Sequence, residues 1–343
     1  MDLTVVWFVL IAVLWLGYLV LEGFDFGVGM LLPVLGREDR RRRVMINTIG
    51  PVWDGNEVWV IVAGGATFAA FPEWYATLFS GFYLPLLLIL AALIVRGVAF
   101  EWRGKVNDDR WRRRADWAII VGSYVPALLW GVALANIVHG VPIDADKQFT
   151  GTVLTLLNPY ALLGGLTTLG LFALHGAVFV ALKTDGPVRE DAGRLAERLA
   201  VPVGVVAGVF ALWTQLALGK TWTWVAVVVA AAALLGVVRA TRVRREGRAF
   251  ALTTVTIASA VVLLFGSLFP AVMPSTTDPA YSLTIENASS SPYTLMVMTW
   301  IAVAMLPFVL LYQGWTYWVF RRRITLDRIP EYTGLKPDRP AAR

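Results

Sequence analysis

Residues 3–35 read LTVVWFVLIAVLWLGYLVLEGFDFGVGMLLPVL, a run with no basic side chain and two acidic ones, Glu22 and Asp25. A helix crosses a bilayer core with ~20 consecutive apolar residues, so this run is long enough to span and to project beyond. It lacks the basic leader and small-residue cleavage site of a signal peptide and is expected to remain as a membrane span. The two carboxylates, three residues apart on one helix face, are the anomaly. PVWDGNEVWV (51–60) repeats it with Asp54 and Glu57.

The whole chain matches its first run. Of its 343 residues, 57% are hydrophobic and 16% charged, against about 25% charged in soluble domains, so the chain reads as an all-α polytopic membrane protein. Nine helices are expected, at roughly 3–35, 51–72, 76–100, 117–139, 158–182, 196–218, 222–239, 249–273 and 292–319. The basic residues check the count. Segments 36–50, 101–116, 183–198, 239–248 and the tail from Arg321 hold 27 Lys or Arg, whereas the alternate set of loops holds only Lys147 and Lys220. Positive charge marks the cytoplasmic side, which places the N-terminus outside and the C-terminus in the cytoplasm. The net charge of +6 then reflects membrane orientation and not binding of nucleic acid.

The absence of cysteine excludes disulfides, thiolate metal sites and thiol catalysis, and two histidines, His139 and His175, leave little for haem or copper. Nothing resembles a phosphate-binding loop, which argues against an ATP-driven machine. Trp and Tyr gather at span ends, as in an interfacial belt, and YQGWTYWVF (312–320) reads as such an anchor. GSYVPA (122–127) and GSLFPA (266–271) hint at an internal duplication, but they lie at different depths and read as coincidence.

The intramembrane acids carry the functional question. A carboxylate at a helix centre has an insertion penalty of roughly 2.5–3.5 kcal/mol, so burial, protonation or pairing must compensate. Glu22 and Asp25 lie in the cytoplasmic half of the first span, Asp54 and Glu57 in the first turns of the second. A short loop joins these spans, so the four acids reach similar depths and can surround one pocket. Arg96 and Glu101, near the cytoplasmic end of the third span, offer a countercharge and a rim. Burial and like-charged neighbours suit carboxyls that take up and release protons near neutral pH. Blander roles stand beside this one: Glu57 in interfacial water, Asp54 as a first-turn carboxylate favoured by the helix dipole, and Glu22 with Arg96 as a structural ion pair. His139 reads as a solvated loop residue and His175 as a satisfied polar core residue. Asn136, Ser123 and Gln313 read as interhelical hydrogen-bonding groups.

The motifs G-F-D-x-G-V-G (Gly23–Gly29), R-R-x-M-I-N-x-I-x-P-x-W-D-G-N-x-V-W (Arg42–Trp59) and G-G-A-x-F-A-A (Gly64–Ala70) closely resemble subunit II of cytochrome bd quinol oxidases. The likeness continues through FSGFYLPLLLILAALIVRGVAFEWR, GSYVPALLWGVALAN, LLNPYALLGGL, FPAVMPSTT and MVMTWIAVAMLPFVLLY, nearly the whole chain. The connection GKTW (219–222) is shorter than in some members.

The resemblance implies two four-helix bundles, residues 1–145 and 146–290, with a peripheral ninth helix and basic tail over 291–343. It implies a partner, subunit I, that carries haem b and haem d, oxidises quinol from the membrane pool and reduces oxygen to water, with small accessory subunits in some complexes. This chain would ligate no haem, would support subunit I in a bacterial plasma membrane, and could hold a quinone or lipid. It would also supply part of a cytoplasmic proton path. Asp54 matches the family's acid on that path. Asp25 and Glu22 match acidic positions of the first helix, Glu22 standing where Asp is common, one methylene longer. Glu57 falls where some members carry Gln. A secondary transporter, which also buries carboxylates at depth, and a purely structural subunit are the competing readings.

Overall fold

The computed structural model describes residues 2–329 and 334–335. Its helices are α1 (Leu3–Leu35), α2 (Asp39–Ile49), α3 (Trp53–Ala70), α4 (Pro72–Gly81), α5 (Tyr83–Trp102), α6 (Asp109–His139), α7 (Pro159–Lys183), α8 (Gly186–Ala217), α9 (Trp224–Arg242), α10 (Glu246–Leu268) and α11 (Pro292–Val319). Eight of these, all but α2, α3 and α4, are long and apolar enough to cross a membrane. α3, expected as the second span, has 18 residues and opens on Trp-Asp-Gly-Asn-Glu, so three of its first five side chains are strongly polar.

The departures from the expected boundaries have local causes. The 36–50 connection contains α2, a charged helix with no apolar run to announce it. The expected 76–100 span is two helices: Pro72 opens α4, and the chain breaks at Phe82 before α5. α8 begins ten residues before the apolar run expected at 196, and its polar first turns are held by Arg41–Asp191 (2.7 Å) and Arg189–Glu246 (2.9 Å). α6 likewise starts at Asp109, because Asp108 Oδ1 accepts from the amides of Arg110 (2.6 Å) and Trp111 (2.9 Å) and caps the helix. Those amides, Trp111's foremost, hold the Asp108 carboxyl below its ordinary range. α10 stops at Leu268. Residues 271–273, expected as helix, form strand β1 (Ala271–Met273), antiparallel to β2 (Leu283–Thr284).

α7 lies at the centre, packed against α1, α6, α8 and α10. Its contact with α1 is backbone to backbone. A Cβ at Gly27 would fall 2.0 Å from the Phe172 carbonyl oxygen and 2.7 Å from Gly176 Cα, so only glycine permits the approach. The α6–α7 crossing repeats the device, a Cβ at Gly131 falling 2.4 Å from the Gly164 oxygen.

The basic connections meet at one end. Asp116 accepts from Arg103 (2.6 Å) and Arg42 (3.0 Å), and Arg103 also reaches Asp39 (2.7 Å). The segment after α11 folds across this end, with Ile324 N donating to Lys183 O (2.8 Å) and Arg40 to Leu326 O (3.0 Å). At the other end the two long loops join, Val141 N donating to Pro274 O (3.0 Å), while Ser290 N donates to Ala70 O (2.9 Å).

Candidate functional site

α1 and α3 are antiparallel neighbours, Gly17 lying under the Trp59 ring and Asp25 against Asn56. Near their basic end the two acids of α1 are fully enclosed: Glu22 and Asp25 are each 0% exposed. Spaced three apart, they meet polar side chains from two neighbouring helices, Asn56 of α3 and Arg96 of α5.

Arg96, 1% exposed, enters from α5 and forms an ion pair with Glu22. Gly122 of α6 makes room, since a Cβ there would lie 2.6 Å from Arg96 Cβ. The guanidinium sits 4.6 Å from the Phe26 ring centroid and 5.2 Å from that of Phe100. These aromatic faces favour the charge where water cannot.

Asp25 is held from α3. Asn56 Nδ2 donates to Asp25 Oδ2 at 2.7 Å and reaches the Leu21 carbonyl at 3.4 Å. Asn56 Oδ1 accepts from Gln313 Nε2 (3.0 Å) and from the Tyr317 hydroxyl (2.8 Å), both on α11. With both acids ionised, four buried atoms of the cluster have no hydrogen-bond partner among the described residues, Glu22 Oε2, Asp25 Oδ1, Arg96 Nε and Arg96 Nη2, and the Glu22 and Asp25 carboxyls lie close enough to share a proton. A buried charge pair is favourable only when its remaining lone pairs and protons are satisfied. These atoms therefore suit bound water and transferable protons.

The other sequence candidates fall around this core or outside it. Glu57 is half-buried on α3, and Asp54 is exposed, with no hydrogen-bond or ion-pair partner among the described residues. Their i, i+3 spacing therefore brings neither into the enclosed cluster, and of the two positions between them Asn56 faces inward instead. Glu101 is exposed near the end of α5, five residues beyond Arg96. Tyr317, read from sequence as an interfacial anchor, is half-buried and bonds inward. Gln313 bridges helices, as its sequence context suggests.

Asn136 donates to Leu156 O (2.8 Å) and accepts from Asn158 (2.8 Å), whereas Ser123 bonds only its own helix, at Ile119 O (2.7 Å). His139 is exposed at the end of α6. His175 is buried in mid-α7, its Nδ1 2.6 Å from Thr253 Oγ1 and its ring stacked on Phe250 at 4.6 Å. An exposed and a buried histidine on separate helices, the second clamped by Thr253 and Phe250, make no axial pair and do not fit a haem. No group of three or more His, Cys, Asp or Glu suited to a metal occurs among the described residues.

A family model described as cytochrome bd terminal oxidase subunit II matches residues 3–320. "Cytochrome bd ubiquinol oxidase subunit 2" of Bacillus subtilis is 43% identical over 327 residues, covering 93% of this chain and 96% of that protein. "Cytochrome bd-I ubiquinol oxidase subunit 2" of Escherichia coli K12 is 37% identical over 366 residues, covering 96% and 97%. In fold, the chain is similar to one in the structure of bd oxidase from Geobacillus thermodenitrificans, with a TM-score of 0.76 at 19% identity over 93% of this chain and 99% of that one. With a match from Leu3 to Phe320 and relatives aligned almost end to end, the chain belongs to the cytochrome bd terminal oxidase subunit II family.

Proposed function

We propose that this chain supports a haem-bearing subunit I of a quinol-oxidising, oxygen-reducing complex and delivers to it protons taken from the cytoplasm. The observation that carries the reading is the enclosed cluster of Glu22, Asp25, Arg96 and Asn56, with acid oxygens left free of protein partners. Two acids at intramembrane depth are expensive to keep, and a packing role alone would be filled more cheaply by apolar side chains. Protons enter at exposed Asp54, pass half-buried Glu57, and reach Asp25 and Glu22. Arg96 keeps the local charge balanced while a proton resides there.

In this reading α3 also crosses the membrane and brings the spans to nine, since it runs from the basic end to the Ala70–Ser290 bond at the other. The N-terminus lies outside, the basic end faces the cytoplasm, and the spans group as two four-helix bundles, 1–145 and 146–290, with α11 peripheral. Haem b and haem d belong to subunit I. The outward apolar faces suit that partner, a small accessory subunit, or the tail of a quinone or lipid.

The test is quinol-driven oxygen uptake by the purified complex carrying Asp25→Asn, Glu22→Gln or Asp54→Asn, with haem content read by absorbance. Turnover falls at least tenfold in the Asp25 variant while the haem spectrum stays intact. Full activity in all three variants would reduce the acids to packing and end the proposal.

A further inference from the structure

Asn56 has a completeness unusual for an amide inside a membrane protein. Its side chain has two acceptor sites on Oδ1 and two donors on Nδ2, and all four are used. Gln313 and Tyr317 occupy the acceptor sites, while Asp25 and the Leu21 carbonyl take the donors. Both acceptor-side partners come from α11, a helix whose apolar stretch is almost entirely exposed. The remaining side-chain hydrogen bond joining α11 to a neighbouring helix among the described residues is the Trp7 indole, shared between Leu295 O (3.2 Å) and Thr299 Oγ1 (3.1 Å). The peripheral helix thus touches the acid cluster through one amide.

An amide can turn end for end, exchanging its donor and acceptor faces. Its orientation is held from both sides, because a turned amide would set its oxygen against the Leu21 carbonyl and the Asp25 carboxylate and would require Gln313 and Tyr317 to turn as well. We propose that Tyr317 and Gln313 are positioning residues for Asp25. By donating to Asn56 Oδ1 they hold the amide with its N–H toward Asp25 Oδ2, which leaves Asp25 Oδ1 as the atom that takes up and releases the proton. Asn56 itself, fully occupied, carries none. The inference rests on the proton-delivery reading above and adds that the ninth helix sets which oxygen of Asp25 works.

The experiment uses the complete purified oxidase complex carrying Tyr317→Phe, Gln313→Leu and the two together, with Asp25→Asn beside them. Each single variant leaves one donor on Oδ1 and lowers turnover about twofold. Losing both interhelical hydrogen bonds frees the amide, and turnover falls roughly tenfold. The pH profile of turnover is displaced in the double variant, with haem content at the wild-type level. A merely structural role would lower haem content or thermal resistance but would leave the shape of that profile alone. Adding Asn56→Leu, which removes the N–H without bringing a further carboxyl to Asp25, to the double variant causes little further loss.

If Asp25→Asn loses turnover while the double variant keeps the wild-type rate and profile, the positioning inference fails and proton delivery stands. If Asp25→Asn itself turns over normally, the reading beneath both has failed. Loss of haem in Tyr317→Phe alone would make α11 an assembly tether and overturn the inference as well.

Discussion

Glu22 and Arg96 form a charged pair with 0% and 1% exposure, and the cost of splitting it can be worked out. Glu22→Gln strands the guanidinium, and Arg96→Met strands the carboxylate. Leaving one buried charge unpaired costs ~3–5 kcal/mol in either case. Arg96→Met also gives up the ring contacts with Phe26 and Phe100, a further ~1 kcal/mol. The double variant removes both charges together and retains much of the apolar volume, and such replacements are often close to neutral. Its loss is expected at ~1–2 kcal/mol, well below either single change. A double-mutant cycle should therefore depart from additivity by at least ~3 kcal/mol. The assay is detergent-induced unfolding of the purified complex in one fixed lipid mixture, followed by tryptophan fluorescence for all four proteins. Losses that add within ~0.5 kcal/mol would refute the argument. They would mean that Glu22 is uncharged in the folded protein and that Arg96 finds its stabilisation elsewhere.

Two further outcomes follow from the packing. Gly27→Ala forces α1 off α7, since its Cβ meets carbonyl backbone at 2.0 Å, whereas Gly64→Ala meets nothing within 4 Å. The first is expected to cost ~3 kcal/mol and reduce the yield of assembled complex, and the second to be neutral or stabilising by up to ~1 kcal/mol; equal unfolding midpoints would contradict the close approach. At the basic end, Asp116→Asn removes the carboxylate shared by Arg103 and Arg42 and is expected to cost ~3 kcal/mol. Increased hydrogen exchange in α2, which Arg42 anchors, would check it against an unchanged exchange pattern.

The membrane helices were legible in sequence wherever apolar length alone decides. α11 occupies the expected residues 292–319 at both ends, because Ser291 and Pro292 open it and basic residues follow it. Elements stabilised by ion pairs were not legible. α2 and the first turns of α8 carry ordinary surface compositions, and partners such as Arg41 and Asp191, which lie 150 residues apart, leave no local mark.

The site divides in the same way. Three-residue spacing on α1 put Glu22 and Asp25 on a common face, and that face is enclosed. The same spacing on α3 carried less information, since it marks a face without saying which way the face turns. Helical geometry of 3.6 residues per turn puts Asn56 well round the helix from Asp54, so one residue faces the core while the other faces out. A polar pair one turn apart in an otherwise apolar helix, Gln313 and Tyr317, was the available clue to Asn56's partners. The tryptophans around them masked it as an interfacial belt.

The bond between Asn56 and Gln313 spans 257 positions, and this matters for synthesis. At ~5–20 residues per second, the ribosome takes roughly 13–50 s to travel from one to the other. Throughout that interval the nascent chain lacks the two donors that α11 supplies to the amide oxygen. An unsatisfied buried polar group costs ~1–3 kcal/mol, so the acid cluster gains its full set of hydrogen bonds only after α11 has been made. A chain cut short before α11 would keep that defect permanently, which gives cellular quality control a chemical mark by which to tell a finished subunit from an unfinished one.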